Sequence, residues 1–237
     1  YADPFVIEHE ARTFLFVEEF PYALGRGVIS VAELASDGRF GVPRVVVEEP
    51  YHLSYPQVFA YDDAIWMLPE SSASGELVLY RADHFPNRWV RAAVLLDRPL
   101  GDATLLIRDG HFWIFATERR GQGNFNDTMA VFIADDLEGP DRPHPMNPVL
   151  IDRAAARPGG GVVARDGRLY LPVQDCSDYY GGGLGLAELL DFTVENVRFA
   201  PPRRVSGLSR RIHTFNRAGP IEVIDWCPSG SIYPNGT

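Results

Sequence analysis

Short runs of alternating apolar and polar residues occur along this chain in pairs, and the pairs repeat. Residues 5–10 and 13–19 flank Ala11-Arg12, and residues 56–61 and 64–70 flank Asp62-Asp63. The design returns around Asp109-Gly110, around Asp166-Gly167 and around Ala218-Gly219. A period of two marks a strand with one buried face, and Asp-Gly suits the type I′ hairpin turn, whose central residues need positive φ. The turn positions 11, 63, 110, 167 and 219 are spaced by 52, 47, 57 and 52 residues.

Between these hairpins lie further strand-like runs, at 27–35 with 44–48, 76–82 with 90–96, and 128–134 with 148–151. Four strands per repeat of near-constant length predict an all-β fold, a five-bladed β-propeller. Residues 186–190 are too short a stretch to argue a helix. The fifth copy shows only two strands, so the last blade is expected to be incomplete. The propeller is expected to span 1–226, with 227–237 as a C-terminal tail. The start at Tyr1-Ala2-Asp3-Pro4, already strand-like, suggests a fragment of a longer protein.

In an antiparallel hairpin the start of the first strand and the end of the second share one edge. Five hairpins arranged alike therefore gather these positions on one face of the molecule. Asp3 falls opposite Glu18 and Glu19, Tyr55 opposite Glu70, Asp102 opposite Glu118, Arg157 opposite Gln174 and Asp175, and His213 opposite Asp225 and Trp226. Each second strand ends in a carboxylate. Converging carboxylates suit glycosidic chemistry, in which one carboxyl stays protonated to donate and another stays ionised. Asp3, Asp102, Glu70 and Glu19 are the candidates for that work. His52, Tyr55, Glu118, Asn126, Arg157, Gln174, Asp175 and His213 are candidate substrate-holding groups. Each has a plainer alternative: Tyr55 as packing, Asn126 as a turn former, Arg157 as half of an ion pair, His213 as a structural hydrogen-bonder or metal ligand. Trp66 and Trp113 lie within second strands and read as core.

Composition narrows the partners. The 237 residues are 46% hydrophobic and 23% charged, a globular balance. The net charge of −10 disfavours nucleic acid, which requires a basic surface. All 22 basic residues are Arg, so chemistry that needs a Lys nucleophile or a phosphate-loop Lys is excluded. Cys176 and Cys227 match no zinc spacing, no cofactor motif is present, and no apolar run has the length of a transmembrane segment. A carbohydrate or glycoconjugate is the expected partner, and the cytoplasm is the favoured compartment.

The string Tyr1–Glu10, with Phe16-Val-Glu-Glu19, Glu49-Pro-Tyr-His-Leu-Ser-Tyr-Pro56, Leu68-Pro-Glu-Ser71, Asp102-Ala-Thr-Leu105, Ala156-Arg-Pro158, Gln174-Asp-Cys-Ser177 and His213-Thr-Phe-Asn216, resembles the propeller domain of glucosamine inositolphosphorylceramide transferase-like proteins. The resemblance implies sugar metabolism and a fused or partner transferase domain. More distantly, the chain resembles family 43 glycoside hydrolases and related furanosidases. That resemblance implies a general base at Asp3 and an orienting, pKa-tuning carboxylate at Asp102. The family's acid, a Glu opening the fourth blade, is absent, and Arg157-Pro158-Gly159 stands there instead. Glu70 or Glu19 is then expected to substitute as acid. A non-catalytic glycan-recognition domain is the alternative.

Overall fold

The computed structural model describes residues 1–205 and 212–226. The first repeat forms β1 (Ala2–His9), β2 (Arg12–Glu19), β3 (Val28–Glu33) and β4 (Arg44–Val47), paired in that order. The second forms β5 (Ser54–Tyr61), β6 (Ala64–Glu70), β7 (Leu77–His84) and β8 (Arg88–Leu96), again in order. The third holds β9 (Leu100–Arg108), β10 (His111–Glu118), β11 (Thr128–Ala134), β12 (Arg142–Pro143) and β13 (Leu150–Ile151), both short strands pairing with β11. The fourth holds β14 (Arg157–Pro158), β15 (Val163–Arg165), β16 (Arg168–Gln174), β17 (Leu184–Phe192), β18 (Val197–Phe199) and β19 (Arg203–Arg204). A two-stranded sheet follows, β20 (Phe215–Ala218) with β21 (Ile221–Ile224).

The sheets pack face to face around an axis as a β-propeller of four blades plus that last hairpin. The first strands line the axis, β1 beside β5, β5 beside β9, β9 beside β14, and β20 beside β1. Period-two alternation shows why the blades adhere. On β6, Ile65 and Met67 bury against Phe14 and Phe16 of the first sheet, while Trp66 and Leu68 bury against the third. On β10, Phe112 and Ile114 face the second sheet, and Trp113 and Phe115 face the fourth. Each second strand thus divides its side chains between two neighbouring interfaces. Burial of a large apolar side chain contributes about 1.5–3 kcal/mol, so these interfaces dominate the stability.

The turns follow the expected chemistry, with two shifts of one residue. Asp109-Gly110 and Asp166-Gly167 carry positive φ at both positions, as do Asp62 and Asp63. The first turn is Glu10-Ala11 rather than Ala11-Arg12, because Arg12 pairs with His9. The last is Gly219-Pro220, because Ala218 pairs with Ile221. The stretch around 186–190 lies inside the strand β17. Residues 227–237, expected as a tail, and Cys227 lie outside the described residues. No helix among the described residues is long and apolar enough to cross a membrane.

Candidate carboxylate-lined site at the axis

Three first strands enter the axis through the same distortion. Ala2 pairs with Glu18 and Phe5 with Phe16, so Asp3 and Pro4 face a single partner residue. Ser54–Gln57 against Leu68–Glu70, and Gly101–Thr104 against Phe115–Thr117, repeat this bulge. The residue at its start has left-handed φ each time, 49° at Asp3, 46° at Tyr55 and 46° at Asp102. Bulges re-aim side chains, and left-handed non-glycine residues are strained unless their surroundings hold them. Here hydrogen bonds hold them: Asp3 N–H donates to Asp225 Oδ2 at 3.3 Å, Tyr55 N–H to Asp3 Oδ2 at 3.3 Å, and Asp102 N–H to Glu70 Oε2 at 2.9 Å.

One group of side chains centres on Arg157. Its Nε and Nη2 donate to the two oxygens of Asp102 at 2.7 and 3.0 Å, a bidentate pair. Its Nη1 donates to Phe125 O at 3.0 Å and Asn126 Oδ1 at 3.2 Å, and Nη2 lies 3.7 Å from Glu70 Oε2. The guanidinium also lies 4.8 Å from the centre of the Tyr180 ring. Gln174 Nε2 donates to Asp102 Oδ2 at 2.5 Å and to Pro158 O at 2.8 Å. Burial raises the Asp102 pKa well above its usual range, with Arg157 opposing and Glu70 adding to the rise. Burial also disfavours ionised Glu70, but Arg157 and hydrogen bonds from Asp102 and Ser72 outweigh it and hold its pKa low. Arg157 thus faces two buried carboxyls at once, and its charge favours the ionised form of each.

The second group centres on His213, whose Nδ1 is hydrogen-bonded to Asp225 Oδ2 and whose Nε2 lies 3.5 Å from Asp3 Oδ1. The backbone N–H groups of His213 and Thr214 donate to Asp225 Oδ1 at 3.0 and 2.9 Å. Thr214 Oγ1 donates to Asp3 Oδ1 at 2.8 Å. Burial disfavours the imidazolium, but Asp225 and Asp3 outweigh it and raise the pKa of His213 to about 9. Burial opposes ionisation of Asp225 too, and His213 overcomes it to hold that carboxyl low. Asp3 is raised, first by burial and then by Asp225, with His213 opposing. Ligand atoms of Asp3, His213 and Asp225 lie within 4.8 Å of one another, close enough to share a cation, although hydrogen bonds already engage them.

At the rim stands Glu18. Its neighbour His52 accepts a hydrogen bond at Nδ1 from Gly27 N–H at 2.8 Å, which puts the ring proton of the neutral imidazole on Nε2, 3.5 Å from Glu18 Oε1. A Cβ on Gly27 would lie 2.4 Å from Leu53 O, 2.7 Å from His52 Cε1 and 2.9 Å from Glu18 Oε1, so only glycine fits this approach. Burial, then the charges of Asp3 and Glu70, raise Glu18 to about 8.

Several expected positions take other roles. Glu19 lies on the opposite face of β2 and accepts a hydrogen bond from Ser30 Oγ at 2.6 Å, so the acid role expected of it passes out of reach. Glu118 pairs with Arg120 at 2.6 Å and Arg98 at 3.7 Å, and Asp175 pairs with Arg204, so neither joins the axial group. The expected carboxylate from every blade is therefore not found: Thr117 and Gln174 hold the places that Glu18 and Glu70 hold in the first two blades. Tyr55 is fully buried, its hydroxyl bonded to Thr104 at 2.8 Å and Gly160 N–H at 2.5 Å, and it acts in packing. Arg157 does clamp a carboxylate, but an internal one. Asn126 and Gln174 serve that clamp, and His52 and His213 stand beside axial carboxylates. Glu18 and Asp225 are the site residues not singled out from the sequence as acting groups.

Four blades and a last hairpin about one axis give this chain the fold of family 43 glycoside hydrolases. Solved structures share the fold. α-L-Arabinanase from Cellvibrio cellulosa matches with a TM-score of 0.59 at 16% identity, covering 83% of this chain and 76% of that one. A thermostable family-43 glycoside hydrolase matches with a TM-score of 0.62 at 15% identity, covering 88% and 77%. In sequence, the family described as glucosamine inositolphosphorylceramide transferase 1, N-terminal, matches residues 1–200, and the chain belongs to that family. Glucosamine inositolphosphorylceramide transferase 1 of Oryza sativa subsp. japonica is 36% identical over 204 residues, covering 84% of this chain and 27% of that protein. The Arabidopsis thaliana protein of that name is 32% identical over 201 residues, covering 83% and 26%. The chain thus spans about a quarter of the length of these relatives.

Proposed function

We propose that this propeller is a carbohydrate-active domain that takes a glycan or glycoconjugate headgroup at the carboxylate-lined end of its axis, as part of a longer protein concerned with glycosyl transfer. The observation that carries this reading is the gathering of Asp3, Glu18, Glu70, Asp102 and Asp225 around Arg157 and His213. Carboxylates accept hydrogen bonds from sugar hydroxyls, and the names of the matched relatives concern a glycolipid transferase. The β20–β21 hairpin is read as the inner half of a fifth blade. Its support is the bonding of Asn216 Nδ2 to Pro4 O at 2.8 Å and of Phe215 N–H to Gly159 O at 2.8 Å, which ties it to the first and fourth sheets.

Recognition is favoured over family-43 hydrolysis. Arg157 occupies the place of that family's acid and engages Asp102 on both oxygens. Glu70, held low beside Arg157, is a poor proton donor. A second reading, cleavage or transfer of a glycosyl group with Asp3 as base, draws on one observation: Glu18, raised to about 8, keeps a proton at neutral pH and is the carboxyl suited to the acid role. A screen of aryl glycosides and nucleotide sugars, with binding measured in parallel, separates the two. Binding without turnover supports recognition. Turnover lost in both Asp3→Asn and Glu18→Gln supports catalysis, and neither binding nor turnover overturns both readings.

A further inference from the structure

The axis is closed between its two ends. Tyr55 is fully buried, and its hydroxyl joins Thr104 of the third sheet at 2.8 Å and Gly160 N–H of the fourth at 2.5 Å. Phe5 packs edge-on against the Tyr55 ring, 4.9 Å between centres. On the turn side of this plug, segments of all four sheets and the last hairpin surround a well of about 230 Å³, walled by Phe5, Val58, Leu105, Ile107 and Val162. The amides that border it are already engaged. Gln57 bonds the backbone of Leu105 in both directions, and Asn216 donates to Pro4 O at 2.8 Å and accepts from Gly161 N–H at 2.7 Å. Counted back from its turn, Gly161 takes the place that Phe5, Gln57 and Thr104 hold in the first three sheets. A Cβ there would meet Asn216 Oδ1 at 3.4 Å and Gln57 Nε2 at 3.9 Å, ordinary contacts, so the backbone does not demand the open space that this glycine leaves.

The well adjoins a second cavity of about 310 Å³, bounded by Val163, Ala164, Arg217 and Gly219, with Gly161 and Val162 as shared wall. Among the described residues lining the two, Arg217 is the single charged one, and it lines both. Its Nε donates to Gly219 O at 2.9 Å, and its Nη1 lies 3.9 Å from Glu222 Oε1, with the two side chains 47% and 58% exposed. An ion pair so long and so exposed is weak. Among the described residues no hydrogen bond engages either terminal nitrogen of Arg217. An apolar well with one cation at its mouth is the pattern of a small-ligand site, in which apolar walls supply affinity and a few polar groups fix orientation.

We infer that the turn end of the axis is a second binding site, for a small apolar carboxylate whose hydrocarbon tail fills the well and whose carboxylate meets the guanidinium of Arg217. The planar guanidinium matches the two oxygens of a carboxylate. An alcohol of the same length fills the well but leaves the cation to water, and an ammonium is repelled by it. A sugar gives up hydrogen bonds to water that the engaged amides do not replace. Each methylene buried in the well is worth about fourfold in affinity. The Tyr55 plug separates this site from the carboxylate end, so the inference does not rest on the glycan reading and neither falls with the other.

The test is amide chemical-shift titration of the whole chain with butanoate, hexanoate and octanoate, and with octanol as the uncharged control. The expected result is affinity that rises about fourfold per methylene until the chain outgrows the well, with perturbations at Val58, Ile107 and Val162. Octanoate is expected to bind about threefold tighter than octanol, and Arg217→Gln is expected to abolish that preference while keeping octanol binding, which shows that the variant is folded. No binding, or affinity that does not rise with chain length, overturns the inference. So does equal binding of octanol and octanoate by the unaltered protein, or a preference for octanoate that survives Arg217→Gln. Perturbations at Gly27 and His52 in place of the well residues put the carboxylate at the other end of the axis and overturn it as well.

Discussion

Arg157 carries more of this site than any other side chain. It is buried against Asp102 and Glu70, and its Nη1 is tied to Phe125 and Asn126. Removing one partner of a buried pair leaves an uncompensated charge, so Arg157→Met is expected to cost about 3–5 kcal/mol, read from urea unfolding. Arg157→Lys is expected to restore little of it, because an ammonium cannot make the bidentate contact. A loss below about 1 kcal/mol in the Met variant would mean that the network does not hold the axis together. His213 and Glu18 contribute to the pH response, and the raised Asp3 and Asp102 act in the same sense. Asp225 and Asp3 raise the folded pKa of His213 from the ordinary 6.5 to about 9, so its contribution is complete below pH 6.5 and is lost as pH rises through 9. Glu18, raised from 4.5 to about 8, binds its proton more tightly in the folded state, so stability also falls between those values. Melting temperature is therefore expected to decline from mildly acidic to alkaline pH, and Glu18→Gln is expected to flatten the part below pH 8. Asp225, held low, acts in the opposite sense and loses its contribution as the solution becomes strongly acidic.

At the scale of elements, the recurring hairpin was legible because period-two alternation and Asp-Gly turns are local signals. The site was half legible for the same reason. Strand ends could be counted, but choosing Glu18 over Glu19 required parity. Phe14 and Phe16 bury against the second sheet, and Glu18 follows them on that face, whereas Glu19 falls on the other. Counting from the observed turns, Glu18, Glu70, Thr117 and Gln174 share one register position, whereas counting from an Ala11-Arg12 turn puts Glu19 there. The engagement of Asp102 by Arg157 was not, because 55 residues separate them and only the packed blades bring them together. Gly160 shows how tightly the last hairpin is joined. Its φ is 141°, and a Cβ there would lie 1.9 Å from Phe215 O. Gly160→Ala is expected to destabilise the protein by more than about 2 kcal/mol and to expose the β20–β21 amides to hydrogen exchange before those of β6 and β10. Uniform exchange across all sheets would contradict that coupling.

The whole molecule offers a ligand two ends of one axis. One end holds the five carboxyls. The other is a cavity of about 230 Å³ lined by Phe5, Val58, Leu105, Ile107, Val162 and Arg217, mostly apolar. There the amide of Gln57 is spent on the backbone of Leu105, in both directions, at 2.9 and 2.6 Å. A second cavity of about 310 Å³ adjoins it, lined by Val163, Ala164, Asn216 and Arg217, whereas the carboxylate end gathers the acceptors that a sugar's hydroxyls would meet. The central claim is that a glycan binds at the carboxylate end. Amide chemical-shift mapping during titration with mono- and oligosaccharides tests it most directly. The account predicts perturbations at Gly27, His52, Asp102 and Gln174, with Val58, Ile107 and Val162 unmoved. Perturbations confined to the latter three, or none at any sugar concentration, would contradict it.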